Sequence, residues 1–178
     1  RRFEAVRFHD AGYFEALIPC AGRFAYQLRF TGYNGDQWTE RDPYSFLPQL
    51  GPLDLHLFAE GNHWEVYEKL GAHLMEVDGA RGCLFAVWAP NAQRVSVVGD
   101  WNNWDGRTHP MRKHPGTGVW EIFIPGITEG AHYKFEIKGL HGNIFLKSDP
   151  FAFYSQHGQQ TAGIVFDLHR YQWADAAW

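Results

Sequence analysis

An internal repeat constrains the fold of this chain more than any other feature, because two copies of one unit must fold alike. Residues 12–19 align with residues 118–125 at an offset of 106. Further along, the offset becomes 107, and residues 42–46 align with residues 149–153. The copies share glycine, proline, glutamate and an Asp-Pro pair at equivalent positions. Chance similarity between two apolar strands would not also match these residues. The sequence therefore indicates two copies of one unit, of which the first lacks its N-terminal half and exposes an apolar sheet face.

One strand of each copy has large apolar residues at every second position. In the second copy, Tyr133, Phe135 and Ile137 lie on one side, with charged residues between them, and residues 24–30 of the first copy alternate in the same way. A period of two predicts an antiparallel strand with one face on a core. We therefore expect Tyr133 and Phe135 in the core, together with Trp120 from the preceding strand.

Short strands separated by Gly, Pro and Asn turns continue through the second half of the chain. The further predicted strands are residues 83–89, 94–99, 119–124, 144–147 and 163–168. This spacing favours an all-β chain that folds as an immunoglobulin-like β-sandwich. Residues 53–73 are the exception, because their apolar residues recur at helical spacing, and they form a predicted helical bridge between the copies.

The composition excludes several classes of protein. Aromatic residues make up 17 % of the 178 residues and charged residues only 20 %, which is typical of a folded chain. A net charge of −4 gives no electrostatic reason to bind nucleic acid or an anionic membrane. Cys20 and Cys83 are too few for a disulfide-stapled secreted domain. We predict a cytoplasmic protein with neither nucleic acid nor membrane as a partner.

The second copy contains four motifs in order along the chain. They are Phe85-Ala-Val-Trp-Ala-Pro-Asn91, Val95-Ser-Val-Val-Gly-Asp-Trp-Asn-Asn-Trp-Asp105, Tyr133-Lys-Phe135 and Ser148-Asp-Pro150. Together they resemble the family-48 carbohydrate-binding module. The bridge Trp64-Glu-Val-Tyr-Glu-Lys-Leu-Gly-Ala-His73 resembles that of bacterial glycogen branching enzymes, in which a further sandwich module precedes it. The resemblance implies the non-catalytic N-terminal region of such an enzyme.

This resemblance divides the chain into four parts. They are the C-terminal part of a first sandwich (1–50), the helical bridge (51–74), the carbohydrate-binding sandwich (75–168) and a lead-in to a catalytic barrel outside the chain (169–178). The implied partners are α-1,4-glucan or glycogen and that barrel. The aromatic residues Tyr171, Trp173 and Trp178 predict a surface against which the tail packs. We expect a monomer.

The resemblance also implies the chemistry of the parent enzyme, which moves α-1,4-linked chains to α-1,6 positions. Such retaining chemistry needs two carboxyl groups about 5 Å apart, and the resemblance assigns both to the barrel. The carboxylates of this chain fit turn and surface roles instead. Asp42 and Asp149 precede proline at turns, and Glu15 and Glu121 point outward from strands into solvent. We therefore predict no catalytic residue in this chain.

The histidines and cysteines indicate no cofactor. His109 and His114 lie five residues apart in a loop, without a nearby cysteine or second carboxylate to complete a zinc site. We expect ordinary surface or turn histidines, packed thiols, no metal site and no cofactor.

The candidate sugar site lies around Trp101 and Trp104. By the family pattern, the first ring packs in the core and the second stacks on glucose, while Lys134 contacts sugar hydroxyls. The alternatives stay open: Trp104 covers the edge of the sandwich, and Lys134 belongs to a solvated sheet face. Glycogen-targeting relatives add a late Trp, where this chain has Ile144-Phe145, and a late Asn, where it has residues 163–166.

Two other functions compete with this interpretation. One is the N-terminal region of a glycogen debranching hydrolase, against which the bridge and the leading module argue. The other is a non-enzymatic glycogen-targeting module, against which the missing Trp and Asn argue. A shared fold does not separate these possibilities.

Overall fold

The computed structural model describes residues 1–171 and 173–174, so Trp178 and part of the predicted lead-in lie outside the described residues. The strands are β1 (Val6–His9), β2 (Tyr13–Glu15), β3 (Leu28–Thr31), β4 (Gln37–Glu40), β5 (Gly71–Val77), β6 (Ala80–Trp88), β7 (Arg94–Gly99), β8 (Arg112–Lys113), β9 (Val119–Pro125), β10 (His132–Lys138), β11 (Ile144–Lys147), β12 (Tyr154–Ser155) and β13 (Gly163–Ile164). The α-helix of the described residues is α1 (Pro52–Ala59), and short 3₁₀ turns lie at Pro43–Ser45, Val66–Glu68, Asp100–Asn102 and Leu168–Arg170.

Two antiparallel sheets of the second half form the predicted β-sandwich, which confirms the all-β fold. One sheet has the order β5-β6-β9-β8, and the other is built around β10, which pairs with β7, β11 and β13. Phe85 of the first sheet and Tyr133 and Phe135 of the second are completely buried between them. Trp120 is buried in the same cluster, and its Nε1 donates to the Ala89 carbonyl at 2.9 Å.

The first sheet is buried on both faces. Its inner face meets β7 and β10, and its outer face carries Leu84, Val119 and Phe123 against Phe46 and Leu70. Leu55 and Phe58 of α1 pack on this outer cluster as well. The segment from the first 3₁₀ turn to residue 70 therefore works as a lid on the sandwich, because the apolar outer face must be removed from water.

The internal repeat is visible in the strand pairing. β1 and β2 pair Val6 with Glu15, and β8 and β9 pair Arg112 with Glu121, the same positions at an offset of 106. Every pair between β3 and β4 recurs between β10 and β11 at an offset of 107, beginning with Leu28–Glu40 and Phe135–Lys147. Two hairpins of the first copy thus have the same register as two hairpins of the second.

The same tyrosine–aspartate contact is also present in each copy. The Tyr133 hydroxyl donates to Asp149 Oδ2 at 2.5 Å, and the Tyr26 hydroxyl donates to Asp42 Oδ2. In both copies the other carboxylate oxygen accepts a backbone N–H two residues later, at 2.8 Å. Asp149 does lie at a turn as predicted, but it is buried, and burial raises the pKa of its carboxyl group. Burial, followed by the contact with Asp42, raises the pKa of Tyr26 to about 12.

The copies differ in burial. All residues of β1 to β4 are exposed, whereas β9 is almost wholly buried. Phe30 and Trp38 stack on each other across β3 and β4, with centroids 5.4 Å apart, yet both rings remain open to solvent. In the second copy β6 and β7 add to β9 and β10, and no strand of the described first copy takes those places.

The predicted helical bridge is wrong in its extent. Helix α1 ends at Ala59, and Gly61 follows with a left-handed φ of +73°. Residues 71–74 belong to β5 instead, because Gly71, with φ +107°, brings the backbone against Phe151, where a Cβ would lie 2.9 Å from the carbonyl oxygen. The predicted last strand is shorter than expected, since β13 ends at Ile164. The sequence also did not predict β8.

The expectation that Glu121 and His114 are solvated is wrong. Glu121 does point outward from the sandwich core, but the lid covers that face and only 1 % of the residue is exposed. Its carboxylate accepts the backbone N–H groups of Gln49 and Leu50 at 2.9 and 3.0 Å. The buried His114 Nε2 lies 3.1 Å from Glu121 Oε1. The equivalent Glu15 is exposed as expected.

Hydrogen exchange will distinguish the two copies. Amides of β3 should exchange far faster than amides at the same register positions in β10, because β3 has one neighbouring strand and no core beneath it. Each residue of Leu28–Thr31 can be compared with the residue 107 positions later, in residues 135–138, which has the same pairing register. Equal protection of both strands would contradict this picture.

Replacing the buried carboxylate tests the attachment of the lid. Glu121→Gln should lower the free energy of unfolding by about 1–3 kcal/mol, because an amide NH₂ would face a backbone N–H that needs an acceptor. Urea denaturation of the whole chain measures this change. The matched control is Glu15→Gln, an exposed site where the change should stay within about 0.5 kcal/mol. Similar values for both variants would refute the role of Glu121.

Candidate carbohydrate-binding site

The candidate site begins where β7 ends. Gly99 makes a close approach to the β10 backbone, and a Cβ there would collide with the His132 carbonyl oxygen and the Trp101 ring. The chain then forms the 3₁₀ turn Asp100–Asn102, and the Trp104 N–H returns to the Gly99 carbonyl at 3.1 Å. This tight return closes a loop over residues 100–109, here called the Trp104 loop. The loop places two tryptophans, three residues apart in sequence, in different surroundings.

The two tryptophans occupy different environments. Trp101 is partly buried and stacks on Phe85, with centroids 5.5 Å apart and an interplanar angle of 26°. Trp104 is 38 % exposed, and both it and Asn103 have left-handed backbone conformations. An exposed ring can stack on the C–H face of a sugar, whereas a ring packed on Phe85 contributes to the core.

Lys134 lies on the same side of the sheet as the Trp104 loop. Alternation along β10 puts Lys134 and Glu136 on the face opposite Tyr133 and Phe135. Gly106 rests on the Glu136 carboxylate, with which an added Cβ would clash. Glu136 is held in turn by an ion pair with Arg94 of β7. The loop that carries Trp104 and the strand residue Lys134 thus lie on one face of the sheet, and an aromatic ring with a nearby polar group is the combination that a sugar site needs.

Several supporting residues were not predicted from the sequence. Asn102 is buried and bridges Gly99, Val97 and His109, and Gly106 and Glu136 set the height of the loop above the sheet. The sequence signal for Asn102 was the Asn pair between the tryptophans. Glu136 gave no signal, since its neighbours on β10 are also charged.

Charges around the site are largely paired. Hydrogen bonds from Arg107 lower the pKa of Asp105 to about 2, so this carboxylate stays ionised beside Trp104. Asp100 Oδ2 accepts the His132 N–H and lies 2.9 Å from His132 Nδ1. Burial lowers the pKa of His109, which is half-buried rather than a surface residue. Lys134 is half-buried, and its ammonium makes no hydrogen bond to the residues that the structure describes.

The positions of the missing family residues carry apolar side chains. Phe145 and its neighbours Ile144 and Leu146 in β11 are exposed, and Lys147 lies over the Phe145 ring. Gly163 packs on the Tyr133 ring. Among the residues described, the candidate site therefore has one exposed tryptophan, Trp104, and one lysine, Lys134.

Two further features of the described residues bear on function. Nowhere in ranges 1–171 and 173–174 do three His, Cys, Asp or Glu side chains converge as metal ligands would. Over the same ranges, no helix has the length and apolar character to cross a bilayer.

Sequence comparison agrees with the fold. Residues 69–152 match the family described as "Carbohydrate-binding module 48 (Isoamylase N-terminal domain)". The matched residues include most strands of the sandwich, which is therefore similar to that family of carbohydrate-binding modules. The start of the match coincides with the entry into β5 rather than with residue 75.

More specifically, the chain is related to the N-terminal region of bacterial 1,4-α-glucan branching enzymes. The 1,4-alpha-glucan branching enzyme GlgB of Thermosynechococcus vestitus is 53 % identical over 171 residues, which cover 96 % of this chain and 22 % of that enzyme. The GlgB of Rhodospirillum rubrum is 51 % identical over 174 residues, covering 97 % and 23 %. The chain thus spans less than a quarter of these relatives. Among solved structures, ligand-free PulA from Klebsiella pneumoniae covers 57 % of this chain and 10 % of its own, at 27 % identity and a TM-score of 0.46.

Substitutions should separate the two tryptophans. Trp104→Ala should raise the dissociation constant for maltoheptaose at least tenfold and change the melting temperature by less than about 2 °C, because the ring is exposed. Trp101→Ala should lower the free energy of unfolding by about 3 kcal/mol, the lower end for a tryptophan since the ring is only partly buried. NMR titrations and thermal melts measure both effects.

Matched variants complete this experiment. Trp104→Phe keeps a platform and should retain most of the affinity. Lys134→Ala should weaken binding, while Lys138→Ala, on the same face but at the far end of β10, should not. Normal binding by Trp104→Ala together with a stable Trp101→Ala would reverse the assignment of platform and core.

Proposed function

We propose that this chain is the non-catalytic N-terminal region of a 1,4-α-glucan branching enzyme and that it holds α-glucan chains at Trp104 and Lys134. The observation that carries the proposal is an exposed Trp104 ring in a loop that lies over the same face of β10 as Lys134, in a module that matches a carbohydrate-binding family. The identity of about half over nearly the whole chain supports the choice of parent enzyme. In this proposal the catalytic carboxylates belong to a barrel outside the chain.

The same proposal includes a role in assembly with the barrel. Tyr171 and Trp173 are exposed, and their rings pack edge to face with centroids 5.0 Å apart. Large exposed aromatic groups are common where two surfaces meet. In our proposal this tail follows the sandwich into the barrel, residues 1–50 are part of a first sandwich module, and the protein acts as a monomer. The cytoplasmic location stays a prediction from the sequence.

Binding should be weak and specific for the α-1,4 linkage. A single stacking ring and one lysine offer few contacts to offset the lost freedom of the ligand. We expect a dissociation constant for maltoheptaose on the order of 0.1–10 mM, which corresponds to roughly −3 to −5.5 kcal/mol. Chemical-shift titration of the 178-residue chain measures it, and cellohexaose, an extended β-1,4 glucan, is the control ligand.

The same preparation should leave amylose unchanged. Iodine-stained spectra and reducing-end assays follow branching and hydrolysis respectively. No response to maltoheptaose at 20 mM, a concentration set about twofold above the weakest expected dissociation constant, would refute the binding role. Branching activity that persists through purification would refute the non-catalytic role.

A further inference from the structure

The Trp104 loop has an unfavourable backbone conformation at its centre. Asn103 has φ +52° and Trp104 has φ +59°, and a bulky residue in the left-handed region is a genuine outlier. Such a conformation persists only where the surrounding contacts over-determine it. The contacts that hold this loop therefore decide whether the Trp104 ring is presented to a ligand.

Asn102 supplies those contacts from beneath the loop. Its Oδ1 accepts the Gly99 N–H at 2.9 Å, and its Nδ2 donates to the Val97 carbonyl at 3.1 Å. The remaining hydrogen of Nδ2 points to His109 Nδ1 at 2.9 Å. The two backbone contacts fix which end of the amide faces His109, so His109 Nδ1 must be the acceptor and must carry no proton.

We propose that Asn102 and His109 form a clamp that positions Trp104 for the glucan and that opens when His109 takes up a proton. The proposal rests on the proposed function, because it concerns presentation of the same binding ring. Asn102 and His109 are positioning residues in it, since neither contacts the sugar.

Protonation opens the clamp because it replaces an acceptor with a donor. An Nδ1–H group would face the Asn102 amide NH₂, and that amide cannot turn over without losing its contacts to Gly99 and Val97. The Thr108 hydroxyl, which donates to the Asp105 carbonyl at 2.8 Å, lies 3.1 Å from His109 Nδ1, and its oxygen can accept a hydrogen bond from the new N–H group. His109 would then leave Asn102 and join the outer part of the loop.

The charged groups around His109 are occupied by other partners. On the loop itself, Asp105 pairs with Arg107, and Asp100 pairs with His132 of β10. Across the sheet, Glu136 of β10 pairs with Arg94 of β7. From the lid, the Tyr44 hydroxyl donates to the Pro110 carbonyl at 3.0 Å. Lys134 and Lys138 of β10 are further cations on this face.

The direction of the pH effect follows from these surroundings. Burial lowers the pKa of His109 from its ordinary 6.5, so the folded loop binds the proton less readily than the unfolded chain does. The clamp is therefore fully formed above pH 6.5, and its contribution is lost progressively as the pH falls below that value. Glucan affinity depends on protonation within the folded loop, so it should fall at a pH below 6.5.

Maltoheptaose titrations of the whole 178-residue chain at pH 7.5 and pH 5.0 test the clamp. The dissociation constant should rise about fivefold or more at the lower pH. Linkage requires the reciprocal effect, so saturation with maltoheptaose should lower the pKa of His109, followed by its imidazole resonances, by about 0.7 for a fivefold change. A buried histidine with a purely structural role would stabilise the fold without this response to ligand.

Two histidine variants sharpen the result. His109→Gln cannot titrate, and its dissociation constant should be the same at both pH values. His132→Gln removes another histidine from the rim of the loop and should keep the pH dependence of the unmodified chain. Should His109→Gln fail to fold, the pKa of His109 with and without maltoheptaose still decides the question in the unmodified chain.

The outcomes separate this inference from the function on which it depends. No binding at pH 7.5 would refute the binding role itself. Binding with a dissociation constant that does not change with pH, or with an unchanged His109 pKa on saturation, would refute only the clamp. A pH dependence that persists in His109→Gln would also refute it, by assigning the proton to another group.

Discussion

A buried carboxylate holds the two parts of this chain together. Glu121 projects from the outer face of the sandwich, and in place of water it has two backbone N–H groups as hydrogen-bond partners, with His114 Nε2 3.1 Å away. Leaving those N–H groups or that charge unpaired inside the protein would be costly. The contact therefore fixes the lid over the outer sheet face, and the lid gives β6 and β9 a second core. Arg112, which donates to the Phe46 carbonyl at 3.2 Å, strengthens the same junction.

The candidate binding site depends on a similar balance of cost and support. A left-handed Trp104 is unfavourable, and Asn102 offsets the cost by satisfying the backbone of β7 and the ring of His109 together. Glu136 adds a second support, since Gly106 can lie on its carboxylate only without a side chain. The backbone strain therefore lies at the proposed contact with the glucan, and contacts to the rigid sheet beneath the loop hold it in this conformation.

The repeat separates strand pairing from core formation. Both copies have the same hairpin registers and the same tyrosine–aspartate contact, which depend on local turns and on cross-strand partners. Only the second copy has strands in the places of β6 and β7 within the described chain, and only there are the paired strands buried. Local sequence is sufficient for the register, whereas burial requires strands that are distant along the chain.

The sequence alone determined the repeat, the all-β sandwich and most of its strands, because alternation and turn residues act over a few neighbouring positions. It also pointed to Trp101, Trp104 and Lys134 through a local motif. The tertiary structure decided which side chains are covered and which become hydrogen-bond partners. Glu121 alternates as a solvated residue does, and only the lid makes it buried. Asn102 and His109 are seven residues apart, and only the return of the loop makes them hydrogen-bond partners. Period and spacing report which face a side chain occupies, but what covers that face depends on contacts between distant segments.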